Sequence, residues 1–256
     1  MEYEAYQATA EHEATHWWFL SRRELCLLQV RRAATELGFP QRPLTLLDYG
    51  CGTGFNLSFL AEYGQVYGAE LVAMVPAPYR KAAGFPLLDL AHDTTLYHGR
   101  FDILTAFDVL EHIRDDVEGL RQIGRFLRPG GQLILTVPAY QWLWSGEDVV
   151  GRHVRRYTRP TLLACCRAAA YEVRYLSYFN LMTLPAMAMV IAIKKRFFPA
   201  QWQRSNLGHV PKPVNSLLHH LTAWEARWVG RQQGVLPAGS SLVCRLQLKR
   251  GSLPYG

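Results

Sequence analysis

The chain has 256 residues, of which 49% are hydrophobic and 19% charged, a balance typical of a globular protein and not of a disordered one. The net charge of +7 is unevenly distributed, because residues 1–118 carry 9 Lys/Arg and 17 Asp/Glu whereas residues 119–256 carry 19 and 4. A basic half predicts attraction of anionic substrates or of an anionic membrane surface, unless the charge serves solubility alone. No motif typical of nucleic-acid binding accompanies the basic residues, so we expect no nucleic-acid partner.

The cysteines and the N-terminus indicate the redox state and the compartment. The five cysteines are odd in number and show neither a Cys-x-x-Cys pair nor the Cys/His spacing of a zinc site. We therefore expect reduced thiols and no metal site. Four Glu precede the first Arg, unlike the basic-then-apolar start of a secretory signal, and this predicts a cytoplasmic protein.

Residues 1–40 are predicted to form a helical cover that ends at Gly38 and Pro40. Its run His16-Trp17-Trp18-Phe19 is too aromatic for a plain surface helix. We therefore expect this segment to pack over a cleft.

The next segment predicts a strand that leads into a glycine loop. Leu44 to Tyr49 has the apolar character of a buried strand, and Phe55 to Tyr63 has helix-compatible spacing. Between them, the glycines at positions 50, 52 and 54 let the backbone turn sharply and approach a ligand closely. Position 55 is Phe and not the third glycine of the dinucleotide fingerprint, and no Lys-Ser or Lys-Thr follows as in a P-loop. Asp48, just before the loop, is unfavourable for a pyrophosphate but suits a cationic cofactor.

Acidic residues end the next two predicted strands. Glu70 closes the run from Val66 and stands about 20 residues after the glycine loop, where an acidic residue accepts hydrogen bonds from ribose hydroxyls. A short third strand is predicted from Phe85 to Leu90, and it contains Asp89.

Two further motifs complete a family resemblance. The run from Phe101 to His112 predicts a fourth strand followed by Asp-Val-Leu-Glu-His, and a Leu-Arg-Pro-Gly-Gly turn at 127–131 precedes a fifth strand at 132–137. Together with the glycine loop and Glu70, these motifs resemble class I S-adenosylmethionine-dependent methyltransferases, of a bacterial type 11/12-like subgroup. The resemblance implies an α/β fold with a Rossmann-like, doubly wound seven-stranded sheet whose seventh strand is antiparallel.

The resemblance also implies S-adenosylmethionine as the cofactor and S-adenosylhomocysteine as its product. It places the adenine amino group at Asp89 and the methionine moiety at residues 106–108, with Arg22 near the methionine carboxylate unless that arginine is only a surface residue. The predicted cofactor-binding residues are Trp17, Arg22, Asp48, Gly50, Cys51, Gly52, Gly54, Glu70, Leu71, Asp89, Leu90, Ala106, Phe107 and Asp108.

An aromatic and basic segment follows the fifth strand, at 138–145 and 151–158, and resembles the same subgroup. Its position beyond a strand's carboxyl end predicts contact with the substrate, although its tryptophans could instead fill the core. Thr158 is expected to cap a helix from Arg159 to Ala170 with Pro160 in its first turn. The predicted substrate-binding residues are Tyr140, Trp142, Trp144, Arg156, Tyr157 and Asn180.

The implied reaction is an SN2 transfer of a methyl group from a sulfonium to an oxygen or nitrogen of a small apolar or anionic metabolite. His112 and His153 are the predicted bases, because imidazole titrates near neutral pH, although either could be structural. Asp108 and Glu111 could orient them. Two alternatives remain open: a non-methylating cyclisation that uses the same cofactor, and a non-catalytic cofactor-binding subunit.

The sequence predicts one domain, with a cofactor-binding core at 41–180, a helical insertion at 181–239 and a last strand within 240–250. The sixth and seventh strands are expected at Tyr171–Tyr178 and Ser241–Leu248. In the insertion, 13 uncharged residues precede Lys194-Lys195-Arg196, too few to span a bilayer, which needs about 20. Residues 181–198 are therefore predicted as a substrate lid, a peripheral membrane contact or a core or dimer helix. A monomer and a homodimer are both compatible with the sequence.

Overall fold

The computed structural model describes residues 3–80, 84–198, 210–232 and 234–249. Its strands are β1 (Leu44–Tyr49), β2 (Gly64–Glu70), β3 (Leu87–Asp89), β4 (Phe101–Phe107), β5 (Leu127–Pro138), β6 (Tyr171–Phe179) and β7 (Ser241–Leu248). They form one seven-stranded sheet in the order β3-β2-β1-β4-β5-β7-β6. Strand β7 is antiparallel to β5 and β6, and the other pairs are parallel. The predicted Rossmann-like sheet with an antiparallel last strand is confirmed.

The helices are α1 (Tyr3–His12), α2 (Trp17–Glu36), α3 (Leu57–Leu60), α4 (Asp116–Gly124), α5 (Gly146–Gly151), α6 (Arg159–Ala168), α7 (Leu184–Phe197) and α8 (Lys212–Gln232). The largest buried cluster combines side chains of β4 to β7 with those of α4 and α6. A second cluster joins α2 and α3 to β1 and β2. Helix α8 packs along α2, where the Ser21 and Thr222 hydroxyls share a hydrogen bond and Arg227 pairs with Glu24 at 3.1 Å.

The topology brings the predicted cofactor motifs to one edge of the sheet. Strand β1 pairs with β2 on one side and with β4 on the other, so the strand order reverses at β1. Parallel strands open a crevice beyond their carboxyl ends at such a point, and ligands bind there. The glycine loop after β1, Glu70 at the end of β2 and Asp108 after β4 therefore lie at the same edge.

Most predicted elements are present, and the differences have local causes. Thr158 caps α6 with Pro160 in the first turn, as predicted, and the helix ends two residues earlier, at Ala168. The helix expected at 55–63 is only the single turn of α3 followed by a 3-10 turn at Ala61–Tyr63. Gly64 begins β2 at a φ of 149° so close to the backbone of Leu44 that a Cβ would lie 2.0 Å from its carbonyl oxygen. The chain therefore returns to the sheet at residue 64, directly after the 3-10 turn.

The N-terminal cover consists of two helices, α1 and α2, and α2 ends at Glu36, before Gly38 and Pro40. The predicted insertion contains α7 and α8, while residues 199–209 and 233 lie outside the described residues, as does the end of the predicted last segment. Among the described residues, no helix is both long and apolar enough to cross a membrane. All five cysteines are buried thiols.

Candidate cofactor and acceptor site

A cavity of about 770 Å³ lies at the carboxyl ends of β1, β2 and β4. The glycine loop lines it on one side, and the aromatic residues 16–19 at the start of α2 also line it. Helix α7 forms a further wall through Ala186, Met187, Val190 and Ile191. Of the predicted cofactor residues, the cavity is lined by Trp17, Arg22, Asp48, Gly50, Cys51, Gly52, Glu70, Leu71, Leu90, Phe107 and Asp108.

The glycine loop has the conformation expected for close approach to a ligand. Gly52 has a φ of 58° and an added Cβ would meet nothing within 4 Å, so the absence of a side chain leaves open space beside the backbone. Its N–H donates to Glu70 Oε2 at 2.8 Å, and the N–H of Leu71 donates to the other oxygen at 2.8 Å. These bonds fix the Glu70 carboxylate at the cavity edge. Each of its oxygens keeps a lone pair for a ligand hydroxyl.

Asp48 is a buried acid below the glycine loop. Its side chain accepts a hydrogen bond from the Thr105 hydroxyl at 2.5 Å. Burial is the main cause that raises the pKa of Asp48 to about 7, and nearby Glu70 adds to the rise while Thr105 and Arg22 oppose it. A cation in the cavity would favour the ionised form of this carboxyl group.

Arg22 of α2 forms an ion pair with Asp108, which follows β4. Its guanidinium also lies 4.4 Å from the centroid of the Trp18 ring. Burial lowers the pKa of Arg22. Asp108 has a φ of 55° and accepts a bond from Thr136 at 3.0 Å. A non-glycine residue in this left-handed region is uncommon and typical of functional sites. The structure therefore places Arg22 in the cavity, where its partner is a carboxylate of the protein.

An acid–histidine cluster forms the end of the cavity beside α5. Glu111 and His112 lie in the turn after β4, and His153 follows α5. His153 Nδ1 is 2.9 Å from Asp148 Oδ1, and Arg156 donates two bonds to the same carboxylate at 2.7 and 2.8 Å. Both predicted bases and Arg156 line the cavity.

Burial and charge perturb the acids and one histidine of this cluster. Burial raises the pKa of Glu111 to about 8. Burial and the neighbouring His153 lower the pKa of His112 to about 4. Hydrogen bonds from His153 and Arg156 outweigh the effect of burial and lower the pKa of Asp148 to about 2. Opposite shifts among adjacent groups are typical of functional sites.

Several predicted residues lie outside the cavity lining. Gly54, Asp89 and Ala106 are neighbours of lining residues, and Asp89 instead accepts bonds from the N–H groups of Val72 and Ala91 at 3.3 and 3.1 Å. Trp144 is partly buried beyond the lining, in the loop before α5.

Four other predicted substrate residues are held elsewhere. Trp142 is 57% exposed and stacks on Tyr140, which stacks in turn on Tyr178 of β6. Tyr157 is buried with its hydroxyl on Asp116 at 3.0 Å, and Asn180 is buried at a φ of 63°. Of the six predicted substrate residues, only Arg156 lines the cavity, and substrate contact by this segment stays a prediction.

Some lining residues had no signal in the sequence. Glu13, at the end of the N-terminal helical region, accepts the Thr53 hydroxyl at 2.8 Å and so joins the cover to the glycine loop. Ser240 and Ser241 reach the cavity from the start of β7. These residues lie far from the cofactor motifs in the sequence, and only the folded chain brings them together.

Comparisons with known proteins identify the class to which this fold and site belong. A family model described as a methyltransferase domain matches residues 18–176. The chain therefore belongs to this family of methyltransferases. Membership of this family supports an S-adenosylmethionine-dependent methyltransferase domain, as the predicted motifs implied.

Two curated relatives show the range of similarity. A Mycolicibacterium smegmatis protein named as a probable S-adenosylmethionine-dependent methyltransferase is 27% identical over 135 residues, which are 50% of this chain and 52% of that protein. The chain thus spans about half the length of that relative. A ubiquinone biosynthesis O-methyltransferase of Pseudomonas paraeruginosa is 27% identical over 193 residues, 65% of this chain and 82% of that protein.

Solved structures share the fold. An S-adenosylmethionine-dependent methyltransferase of Thermotoga maritima superposes with a TM-score of 0.55 at 16% identity, covering 97% of this chain and 100% of that chain. A structure of the Haloferax volcanii methyltransferase activator Trm112 in complex with a protein described as a methyltransferase also matches. The TM-score is 0.55 at 15% identity, and the match covers 97% of this chain and 96% of that chain. At these identities the similarity shows the fold alone.

Proposed function

We propose that this enzyme transfers the methyl group to an oxygen or nitrogen of a small molecule with an apolar body. The observation that carries the proposal is a single cavity that joins the glycine loop to the apolar wall of α7 and to the acid–histidine cluster. An apolar acceptor would pack against Met187 and Ile191, and its polar group would face His112 and His153. The ubiquinone biosynthesis O-methyltransferase relative supports an oxygen acceptor.

The residues present fit the cofactor. S-adenosylmethionine supplies an electrophilic methyl group on a positively charged sulfur. Gly52 leaves room for close approach, Glu70 has lone pairs for ribose hydroxyls, and Asp48 compensates the positive charge. Arg22 and Asp108, held together by their ion pair, lie beside the predicted methionine position. Leu71 and Leu90 flank the predicted adenine position.

The acceptor's proton would leave toward the acid–histidine cluster. Alignment of the two reacting atoms supplies most of the rate enhancement in an SN2 transfer, and proton removal adds to it where the acceptor is a neutral hydroxyl. His153 is oriented for such a role, because its bond to Asp148 fixes the ring.

Methylation of extracts tests the proposal. Labelled S-adenosylmethionine is incubated with the enzyme and cell extract, and labelled products are characterised by mass spectrometry. We expect a small-molecule product heavier by one methylene unit, and Gly52→Val as the matched control should give none. An unlabelled rearranged product would indicate the cyclisation alternative, while tight cofactor binding without any product would indicate a non-catalytic subunit.

The outer face of α7 supports a second element of the proposal, contact with an anionic membrane surface. Met189 is 60% exposed and Ile193 43%, and the basic run 194–196 ends the same helix. Apolar side chains beside basic ones are typical of helices that lie on a membrane. The cytoplasmic location and the monomeric or homodimeric state stay predictions.

A matched pair of double variants tests this contact. Residues four apart share a helix face. Replacing both Met189 and Ile193 with Glu should abolish sedimentation with phosphatidylglycerol vesicles. Replacing both Met187 and Ile191 with Glu should instead impair methylation of the acceptor. If wild type is a dimer that does not bind vesicles, and the variant with Glu at positions 189 and 193 is a monomer in gel filtration, the outer face is a dimer interface.

A further inference from the structure

Glu111, His112 and His153 bring three ligand atoms of metal-binding type together. One carboxylate oxygen and one nitrogen from each imidazole all lie within 4.8 Å of one another. The two rings meet edge to face with centroids 4.7 Å apart. The cluster borders the cavity next to the acceptor end.

Glu111 has no hydrogen-bond donor that explains its burial. Its side chain is 0% exposed, and apart from its own backbone N–H nothing within the described residues donates to either oxygen. His153 Nε2 lies 3.9 Å from Oε1, beyond hydrogen-bond distance. Buried carboxylates are almost always hydrogen-bonded, paired or bound to a metal, so the unpartnered Glu111 carboxyl group is suited to bind a cation.

The second independent observation is the orientation of His153. Its Nδ1 is bonded to Asp148, which leaves the lone pair of Nε2 directed toward Glu111. Asp148 is itself fixed by Arg156. A histidine that ligates a metal almost always donates its other ring N–H to a carboxylate, carbonyl or water, and such partners orient it.

We propose that Glu111, His112 and His153 form a binding site for a divalent transition-metal ion. Bonds of about 2.0 to 2.2 Å would bring opposed ligand atoms within about 4.4 Å, so small side-chain rotations complete the site. Two imidazoles and one carboxylate suit Zn²⁺, Mn²⁺, Fe²⁺ or Co²⁺. Three protein ligands leave coordination positions open toward the cavity, as in sites that bind substrate.

The role of the ion rests on the proposed function. The ion holds the acceptor's hydroxyl oxygen and lowers its pKa, so the proton passes to solvent. That oxygen then forms a bond to the methyl carbon while the carbon–sulfur bond breaks and its electron pair goes to sulfur. His112 and His153 would then be metal ligands, so the ion would replace the histidine base of the proposed function and solvent would accept the proton. No oxidant or reductant is required.

Co²⁺ titration of the chelator-treated full chain, without cofactor or acceptor, tests the site. Visible absorption and calorimetry should give one site per chain, and Glu111→Gln and His153→Ala should each raise Kd at least tenfold. Asp148→Asn, which removes only an orienting bond, should raise Kd about 10- to 100-fold. The control is the double variant His219→Ala with His220→Ala on α8, where His219 is half-buried and His220 is exposed, and it should keep full affinity.

Thermal melts and S-adenosylmethionine affinity show whether each variant is folded. Glu111→Gln should fold well, because Gln has almost the same shape and no side chain of the described residues is hydrogen-bonded to the Glu111 carboxyl group. Equal Co²⁺ affinity of wild type and Glu111→Gln overturns the proposal, as does loss of binding in the His219 and His220 control. Because this measurement uses no acceptor, its failure leaves the proposed methyl transfer standing, and a failed methylation assay leaves the metal site standing.

Discussion

Replacing Asp48 with Asn tests whether a buried carboxylate compensates the cofactor's positive charge. Asn has almost the same shape, and its amide oxygen can still accept the Thr105 hydroxyl that lies 2.5 Å from the acid. The substitution therefore removes one charge and little packing. We expect it to weaken S-adenosylmethionine binding and, at the same pH, to stabilise the unliganded protein.

The size and sign of the effect follow from the pKa of Asp48, about 7 in the unliganded protein. A bound cation favours the carboxylate, so cofactor affinity should rise about tenfold per pH unit from about 5 to 7 and level off above. Stability has the opposite dependence. Because the pKa of Asp48 in the folded protein lies above the ordinary aspartate value of 3.8, the folded protein binds more protons than the unfolded one, and the free energy of unfolding falls as pH rises from about 4 to 7.

The assay is calorimetric titration with S-adenosylmethionine between pH 5.5 and 8.5, with thermal melts of both unliganded proteins. At pH 8, we expect Asp48→Asn to bind S-adenosylmethionine at least tenfold more weakly than wild type and to melt at a higher temperature. Its affinity should not show the tenfold rise per pH unit that is expected of wild type below pH 7. The same slope in both proteins, or equal affinity at pH 8, would refute the reasoning. Glu70 and Arg22 face the same region and are present in both proteins, so the comparison isolates the Asp48 side chain.

Glu70→Ala should weaken cofactor binding about 5- to 150-fold in calorimetric titration, because it removes acceptors worth about 1 to 3 kcal/mol, and unchanged affinity would contradict the ribose role. His112→Ala should lower turnover about 10²- to 10⁴-fold with cofactor affinity nearly preserved, whereas activity within a few-fold of wild type would leave alignment as the main contribution. Thr158→Ala should reduce the free energy of unfolding by about 1 kcal/mol in urea titration, and no change in the midpoint would show that the cap at α6 is dispensable.

The cofactor half of the molecule could be predicted from sequence because its signals are local. A buried strand, a loop that needs glycine at positive φ and an acid at the next strand's end are each visible within a few residues, as β1, Gly52 and Glu70 show. Parallel pairing then brings them to one edge. The limits of β7 were also predicted, since an apolar strand of eight residues has a distinct pattern.

The acceptor half could not be predicted in the same way, because its geometry depends on tertiary contacts. Tyr157 lies in the sequence among aromatic and basic residues that suggest ligand binding. In the structure, however, its hydroxyl donates a hydrogen bond to Asp116, which is far away in the sequence. Trp142 and Tyr140 instead extend a stack from Tyr178. Composition identified the segment as unusual, but it could not tell which side chains would face the cavity.

Helix α7 shows why one pattern supported several predictions. A helix that is apolar all round lacks the polar face of a surface helix, and such a helix is normally buried on all sides. Here Met187 and Ile191 face the cavity, whereas Met189 and Ile193 are exposed. The proposed acceptor with an apolar body would account for the inner face. The outer face needs a different apolar contact, and the basic residues that follow it favour an anionic membrane surface over a second copy of this basic half of the chain.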